Sequence, residues 1–326
     1  MSRINPSYNA WSKCKEERGI GDGLRPAFSF LSCRLGIGAI ISRLALSFPC
    51  RQESPHVNIV SLHYVALYVR NEGIVMKPGK TELRLNAEIE KRGALFAVLL
   101  DPDTSDEAAF VKAGSLAAEN GADLLLVGGS YLGNFTLPKQ VAALKANVDL
   151  PVVLFPGGAS QVVPGFDAML FMTLVSGRNP NYLIDEQVRG GALVRALNME
   201  AIPTAYQLIN SGKRTTVEYI SGTMPVPANK PKLSMVNSIA AELMGMRYVY
   251  LEAGSGAEEP VPVEHIAYTR KATEMTIITG GGIKDPQTAA VRVAAGAQII
   301  VTGTLWEKVN DPALLKEFSA AIHVKG

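Results

Sequence analysis

Three glycine-rich turns late in the chain have the composition of a phosphate-binding site. They are Gly254-Ser255-Gly256, Gly280-Gly281-Gly282 and Gly303-Thr304, and each lies at the end of an apolar run typical of a buried strand. Glycine lets backbone N–H groups approach an anion closely, and the N-terminus of a following helix adds a favourable partial charge. One such turn could be an ordinary tight connection between a strand and a helix. Three in succession favour a phosphate site.

Three oxygen-bearing side chains could complete a reaction centre. Asp101 and Ser130 follow two earlier apolar runs, and a carboxylate and a hydroxyl suit Mg²⁺, which takes one or two protein ligands plus water and substrate phosphate. Asp101 precedes Pro102, so a turn or N-cap role explains its spacing equally well. Glu252 lies beside the first glycine turn, where a carboxylate could take a proton from a hydroxyl nucleophile or hold a substrate hydroxyl. A salt bridge at a strand end is the alternative for Glu252.

The elements that must position these residues alternate regularly from Met76 onward. Eight apolar runs predict strands, and periodic or capped segments between them predict helices. Such alternation predicts an α/β fold with parallel strands and right-handed crossovers, and eight units close into a (β/α)8 TIM barrel. An open doubly wound sheet usually has fewer strands and an early glycine-rich turn, which this chain lacks. The predicted strands cover 94–100, 122–127, 152–155, 168–172, 202–209, 248–252, 276–279 and 298–302.

Local signals refine this barrel. The segment 104–107 has the spacing of a capping box, and Asp285-Pro286 and Asp311-Pro312 each supply an N-cap followed by a proline suited to the first helical turn. The connection 156–167 has two prolines and three glycines, so the barrel is expected to lack its third outer helix. In such barrels the active site lies at the C-terminal ends of the strands, and the loops after strands seven and eight commonly hold phosphate. The candidate residues are therefore expected to share one end of the barrel.

Residues 1–75 differ from the remainder of the chain. They carry nine Lys/Arg against five Asp/Glu, whereas residues 76–326 carry 23 against 25, so the body lacks the basic excess that nucleic-acid binding needs. The apolar run 28–48 contains Arg34 and Arg43 and is therefore a poor membrane span. A signal or transit peptide is one alternative, and a poorly ordered or atypical extension is the favoured interpretation. All three cysteines fall within this extension, which predicts a cytoplasmic body without disulfides or a Cys-based metal site.

A family resemblance becomes specific in a series of motifs from 76 to 326. In order, they are 99–103 (LLDPD), 127–130 (VGGS), 163–167 (VPGFD), 176–180 (SGRNP), 250–256 (YLEAGSG), 280–283 (GGGI) and 301–304 (VTGT). The body resembles the geranylgeranylglyceryl phosphate synthase family, which includes the heptaprenylglyceryl phosphate synthases. The long motif at 250–256 is similar to the geranylgeranyl branch. The loop 205–216 matches only loosely and carries no predicted site, and residues 1–75 have no counterpart.

The resemblance implies an activity and a role for each motif. The family joins a prenyl diphosphate to the 3-hydroxyl of sn-glycerol 1-phosphate and releases diphosphate, and its barrel lacks the third helix. By resemblance, Asp101 and Ser130 bind one Mg²⁺ that holds the diphosphate, and Glu252 contacts the glycerol and acts as general base. A homo-oligomer is also implied, and the long product tail implies brief contact with a membrane surface. The residues implied to bind glycerol phosphate are Tyr250, Leu251, Glu252, Ala253, Gly254, Ser255, Gly256, Gly281, Gly282, Gly303 and Thr304.

Other classes of protein fit the residues less well. A phosphate-binding barrel isomerase or lyase usually needs carboxylates after strands one and five, but Gln207 and Asn210 occur at the end of strand five. A flavin-dependent barrel oxidase would use the same phosphate turns and would be yellow. A non-catalytic sensor would have no need for Asp101, Ser130 and Glu252 together.

Overall fold

The structure is a computed structural model that describes residues 77–103, 106–133, 136–303 and 311–325. The predicted extension, residues 1–75, lies outside the described residues, and so does Thr304. In the described part of the chain, no helix is both long enough and apolar enough to cross a bilayer.

Eight parallel strands close into one barrel, each paired with the next along the chain and β8 paired with β1. This confirms the predicted (β/α)8 fold. Every predicted strand is present with small shifts at its ends, and β6 has the predicted bounds. The strands are β1 (Leu95–Leu100), β2 (Leu124–Val127), β3 (Val152–Leu154), β4 (Ala168–Leu174), β5 (Glu200–Leu208), β6 (Tyr248–Glu252), β7 (Thr276–Gly280) and β8 (Ile299–Thr302).

Nine α-helices are described around this barrel. They are α1 (Lys80–Arg92), α2 (Glu107–Glu119), α3 (Leu137–Lys145), α4 (Glu186–Ala196), α5 (Thr216–Ser221), α6 (Pro231–Leu243), α7 (Val263–Ala272), α8 (Pro286–Ala294) and α9 (Pro312–Ile322). Between β3 and β4 there is only one 3-10 turn, Ala159–Gln161, so the expected absence of the third outer helix is confirmed. A π-helical turn, Asn181–Asp185, precedes α4.

The helix caps follow the predicted chemistry with one correction. Asp285 and Asp311 are the N-caps of α8 and α9, as predicted, and each accepts backbone N–H bonds. The capping box predicted for 104–107 was wrong. Helix α2 begins at Glu107, so the residue directly before it, Asp106, is the N-cap and accepts the Ala109 N–H at 2.8 Å.

The core has two layers because successive strand residues face opposite sides of the barrel wall. Tyr248 and Tyr250 belong to the inner cluster, whereas Val249 and Leu251 belong to the outer cluster beneath the helices. Helix α1, which the sequence analysis did not predict, packs at the N-terminal end of the barrel.

Contacts of α1 with the strand starts close that end. Glu82 forms a two-point ion pair with Arg247, with both N···O distances 2.6 Å. The Glu200 carboxylate accepts the Thr81 and Glu82 N–H groups at 2.8 Å each. Helix α1 thus covers the N-terminal end of the described barrel, and the cavity lies at the other end.

Candidate active site

A cavity of about 760 Å³ lies where the predicted site residues meet. Its wall includes loop or strand-end residues from β1, β2, β6, β7 and β8, so residues far apart in sequence share one space. The predicted residues that line it are Asp101, Ser130, Tyr250, Glu252, Ser255, Gly256, Gly281, Gly282 and Gly303.

Three residues of the predicted 250–256 motif do not line this cavity. The side chains of Leu251 and Ala253 are buried in the outer layer, 0% and 2% exposed, because they alternate with Tyr250 and Glu252 along the strand. Gly254 instead helps to position Glu252, because its N–H donates a hydrogen bond to Glu252 Oε1 at 2.6 Å. The structure therefore places the side chains of Leu251 and Ala253 away from the cavity, and their predicted part in substrate binding stays a prediction.

The turns after β6 and β7 pack backbone against backbone. Gly281 has φ +81°, and a Cβ at this position would lie 2.7 Å from Gly254 O and 2.5 Å from Glu252 Oε1. A Cβ on Gly282, which has φ +69°, would lie 2.7 Å from Pro260 N. Only glycine fits such contacts and such dihedral angles. The close approach of the two turns therefore leaves no room for a side chain at 281 or 282.

Glu252 is a buried carboxylate at the centre of the site. It is 6% exposed and accepts hydrogen bonds from the Gly254 N–H and the Tyr250 hydroxyl. Burial raises the pKa of Glu252, and these two hydrogen bonds offset the rise only in part. Among the described residues, no cationic group lies within ion-pair distance of it, so the salt-bridge alternative does not hold for this part of the chain.

Three aromatic rings, those of Phe155, Tyr206 and Tyr250, pack together in the cavity wall. The Tyr250 ring stacks on Phe155 with centroids 5.2 Å apart and meets Tyr206 edge-on at 5.5 Å. Burial, and then the Glu252 charge, raises the pKa of Tyr206 and of Tyr250 well above the usual value, so both hydroxyls stay protonated. Neither Phe155 nor Tyr206 was predicted to line the site. The alternation of β5 could have revealed Tyr206, which faces inward with Ile202.

Asp101 faces the turn that carries Ser130. Its Oδ1 accepts the Asp103 N–H at 2.9 Å, and a Cβ on Gly129 would lie 3.2 Å from its Oδ2. Burial, offset by that N–H bond, raises the pKa of Asp101, and the nearby charge of Asp103 raises it further. Asp101 therefore has the turn role that its spacing suggested, through its Oδ1. In the described ranges, no group of three or more His, Cys, Asp or Glu side chains is placed to hold a metal.

The rest of the cavity wall is largely apolar and was not predicted. Residues from the helix-poor connection after β3, such as Ala159 and Val162, line it directly. The absence of an outer helix therefore leaves room for a ligand at this side. Other apolar or aromatic lining residues come from β4, the π-helical turn and α5, namely Phe171, Met172, Tyr182, Val217 and Ile220.

Known proteins resemble this chain in both sequence and fold. A sequence model of the PcrB family matches residues 87–322. Geranylgeranylglyceryl phosphate synthases from Korarchaeum cryptofilum and Spirosoma linguale are each 40% identical to this chain; the alignments cover 70% of it, and 94% and 90% of those proteins. The (S)-3-O-geranylgeranylglyceryl phosphate synthase of Thermoplasma acidophilum, solved in complex with substrate sn-glycerol-1-phosphate, superposes with a TM-score of 0.69 at 30% identity, covering 73% of this chain and 98% of that one. The chain therefore belongs to the PcrB family, as a member of the geranylgeranylglyceryl phosphate synthases.

Proposed function

We propose that this protein transfers a geranylgeranyl group from its diphosphate to the 3-hydroxyl of sn-glycerol 1-phosphate. The ether bond forms between prenyl C1 and the glycerol oxygen, the C1–O bond to diphosphate breaks, and the hydroxyl proton goes to a base. One observation carries the proposal: a buried carboxylate, Glu252, stands among glycine turns in a cavity whose remaining wall is largely apolar. The named relatives support it.

Glu252 is suited to accept the hydroxyl proton. Its pKa is raised by burial, so it is a stronger base than an exposed carboxylate, and it is held in place by Tyr250 and Gly254. The turns at 254–256 and 280–282 would seat the phosphate through main-chain groups, which fixes the glycerol hydroxyl near the carboxylate. This placement makes the reaction intramolecular in effect.

A magnesium ion is part of the proposal, with Asp101 and Ser130 as its protein ligands. Asp101 and Ser130 both line the cavity and both offer oxygen atoms, which Mg²⁺ prefers. Burial and the nearby charge of Asp103 disfavour the Asp101 carboxylate, so a bound cation would stabilise it. When bound, the ion would neutralise charge on the diphosphate leaving group. The largely apolar wall from Phe171 to Ile220 would take the prenyl chain. A homo-oligomer, contact with a membrane surface and a cytoplasmic location remain predictions.

The decisive assay combines the purified full chain, Mg²⁺, sn-glycerol 1-phosphate and geranylgeranyl diphosphate, with product detected by mass spectrometry. We expect the ether product, no product with glycerol lacking phosphate, and a large loss of rate in Glu252→Gln. A series of prenyl diphosphates of different length separates the geranylgeranyl from the heptaprenyl alternative. Absence of product with every chain length would refute the proposal.

A further inference from the structure

The loop between β5 and α5 lies against the proposed phosphate seat. Thr215 contacts Gly254 so closely that a Cβ on Gly254 would overlap its side chain, and a Cβ on Gly212 would lie 3.3 Å from Glu258 Oε2. The loop therefore touches the turn after β6 at two points. Lys213 lies between these contacts, and both Lys213 and Glu258 line the cavity.

Both ends of this short segment are held. On one side, Asn210 Oδ1 accepts the Gly212 N–H at 2.9 Å, and Gly212 has φ +99°. On the other side, Thr215 and Glu218 form the capping box of α5. Lys213 is thus carried on a turn with fixed ends, while its long side chain can change direction.

The present partner of Lys213 is weak. Its Nζ lies 3.7 Å from Glu258 Oε1, too far for a good hydrogen bond, and the two side chains are 54% and 60% exposed. Exposed ion pairs of this kind contribute little to stability, so breaking one costs little. Lys284, the other lysine among the described lining residues, differs because it donates to the Glu258 carbonyl at 2.8 Å.

We infer that the Lys213 side chain exchanges Glu258 for the phosphate of the glycerol phosphate substrate, while the β5–α5 loop keeps its place against the turn after β6. The inference rests on the proposed function. A phosphate carries nearly two negative charges, so an ammonium group on the same cavity wall gains a charge-assisted hydrogen bond by the exchange. Glu258 competes with the phosphate for Lys213 and keeps the ammonium group near the site when no substrate is bound.

Calorimetric titration of the full-length protein with sn-glycerol 1-phosphate alone tests this exchange. Lys213→Met should weaken binding about tenfold, as expected for one lost charge-assisted bond at a part-exposed site. Arg214→Met is the matched control, because Arg214 is an exposed neighbouring cation outside the cavity lining, and its binding should equal that of the wild type. Glu258→Gln should bind at least as tightly as the wild type.

The outcomes separate this inference from the proposed function. Binding by the wild type with equal binding by Lys213→Met would overturn the role of Lys213 alone. A loss in Glu258→Gln as large as in Lys213→Met would also overturn it, because the ion pair itself would then be what matters. No binding by the wild type would count against the proposed function instead. In steady-state assays the Lys213→Met effect should appear in KM for glycerol phosphate; a rise confined to KM for the prenyl diphosphate would contradict the assignment.

Discussion

Alanine at Gly281 should disturb the site more than alanine at Gly256, although both glycines have left-handed backbone angles. Their φ values are +81° and +68°. The surroundings differ: a Cβ at 281 would lie 2.7 Å and 2.8 Å from the backbone O and N of Gly254, whereas a Cβ at 256 meets nothing within 4 Å. The pair of variants therefore separates backbone strain from the close contact between the two turns.

The magnitudes follow from these contacts. A left-handed non-glycine residue costs roughly 1–2 kcal/mol, which both variants share. Overpacking against backbone that cannot rotate away adds roughly 1–3 kcal/mol for Gly281→Ala alone. In a barrel of this size each kcal/mol lowers Tm by roughly 2–4 °C, so Gly281→Ala should melt several degrees below Gly256→Ala.

Thermal unfolding followed by circular dichroism measures that difference, and glycerol phosphate kinetics measure its effect on the site. The added methyl would also press on Glu252 Oε1, 2.5 Å away, so kcat of Gly281→Ala should fall as well. Equal melting temperatures for the two variants would refute the reasoning, because they would show that the turns can separate freely.

Three other changes test separate parts of the molecule. Asp101→Asn should lower kcat by roughly 10²-fold or more while calorimetric binding of glycerol phosphate stays within a factor of about three, since the proposed metal site and phosphate seat are distinct. Glu252→Gln should lower kcat by roughly 10²–10⁴-fold, and wild-type kcat should fall as pH drops through the raised pKa of Glu252, because a protonated carboxyl cannot accept a proton. Arg247→Met should lower the free energy of unfolding by roughly 3 kcal/mol and leave KM unchanged, because it leaves Glu82, 1% exposed, without its partner.

Each change has a result that would contradict its reason. Loss of glycerol phosphate binding in Asp101→Asn would mean that Asp101 serves the glycerol phosphate and not the prenyl diphosphate. Full activity in Glu252→Gln would exclude that carboxylate as the base. The pH dependence of stability tests the raised pKa of Glu252. Because its pKa is raised in the folded state, Glu252 stabilises the protein at low pH, and this stabilisation is lost as pH rises through the folded pKa. Melting of Glu252→Gln well below the wild type at pH 8 would therefore contradict burial as the cause of the raised pKa. Wild-type stability in Arg247→Met would contradict the view that buried Glu82 depends on Arg247 as its partner.

The barrel could be predicted because local signals and the fold agree. The strand β6 is a short apolar run followed by glycines, and Asp285-Pro286 marks a helix start that the structure reproduces. Glu252 and Asp101 could be placed at one end because strands of a parallel barrel all end on the same side. The same rule placed the glycine turns after strands six, seven and eight at this end, where the structure has them lining one cavity.

Other features depend on contacts that sequence spacing does not contain. The position of α1 is set by Glu82 and Arg247, which are 165 residues apart. The apolar part of the cavity lies where the third outer helix is absent and is lined by side chains from several elements. No single sequence motif contains these residues together. Helix α5 is different: the spacing of Thr215 and Glu218 is a capping-box signal that was present but overlooked. Likewise, strand alternation predicts that the Leu251 side chain faces the outer layer while Glu252 faces the cavity, and the structure has this arrangement.

The most direct test of the central claim is a crystal structure of the full chain with sn-glycerol 1-phosphate bound. We predict phosphate density against the main-chain N–H groups of Gly281, Gly282 or Gly303, with the 3-hydroxyl beside Glu252. Phosphate density beside Asp101 and Ser130, with the glycerol away from Glu252, would contradict the account.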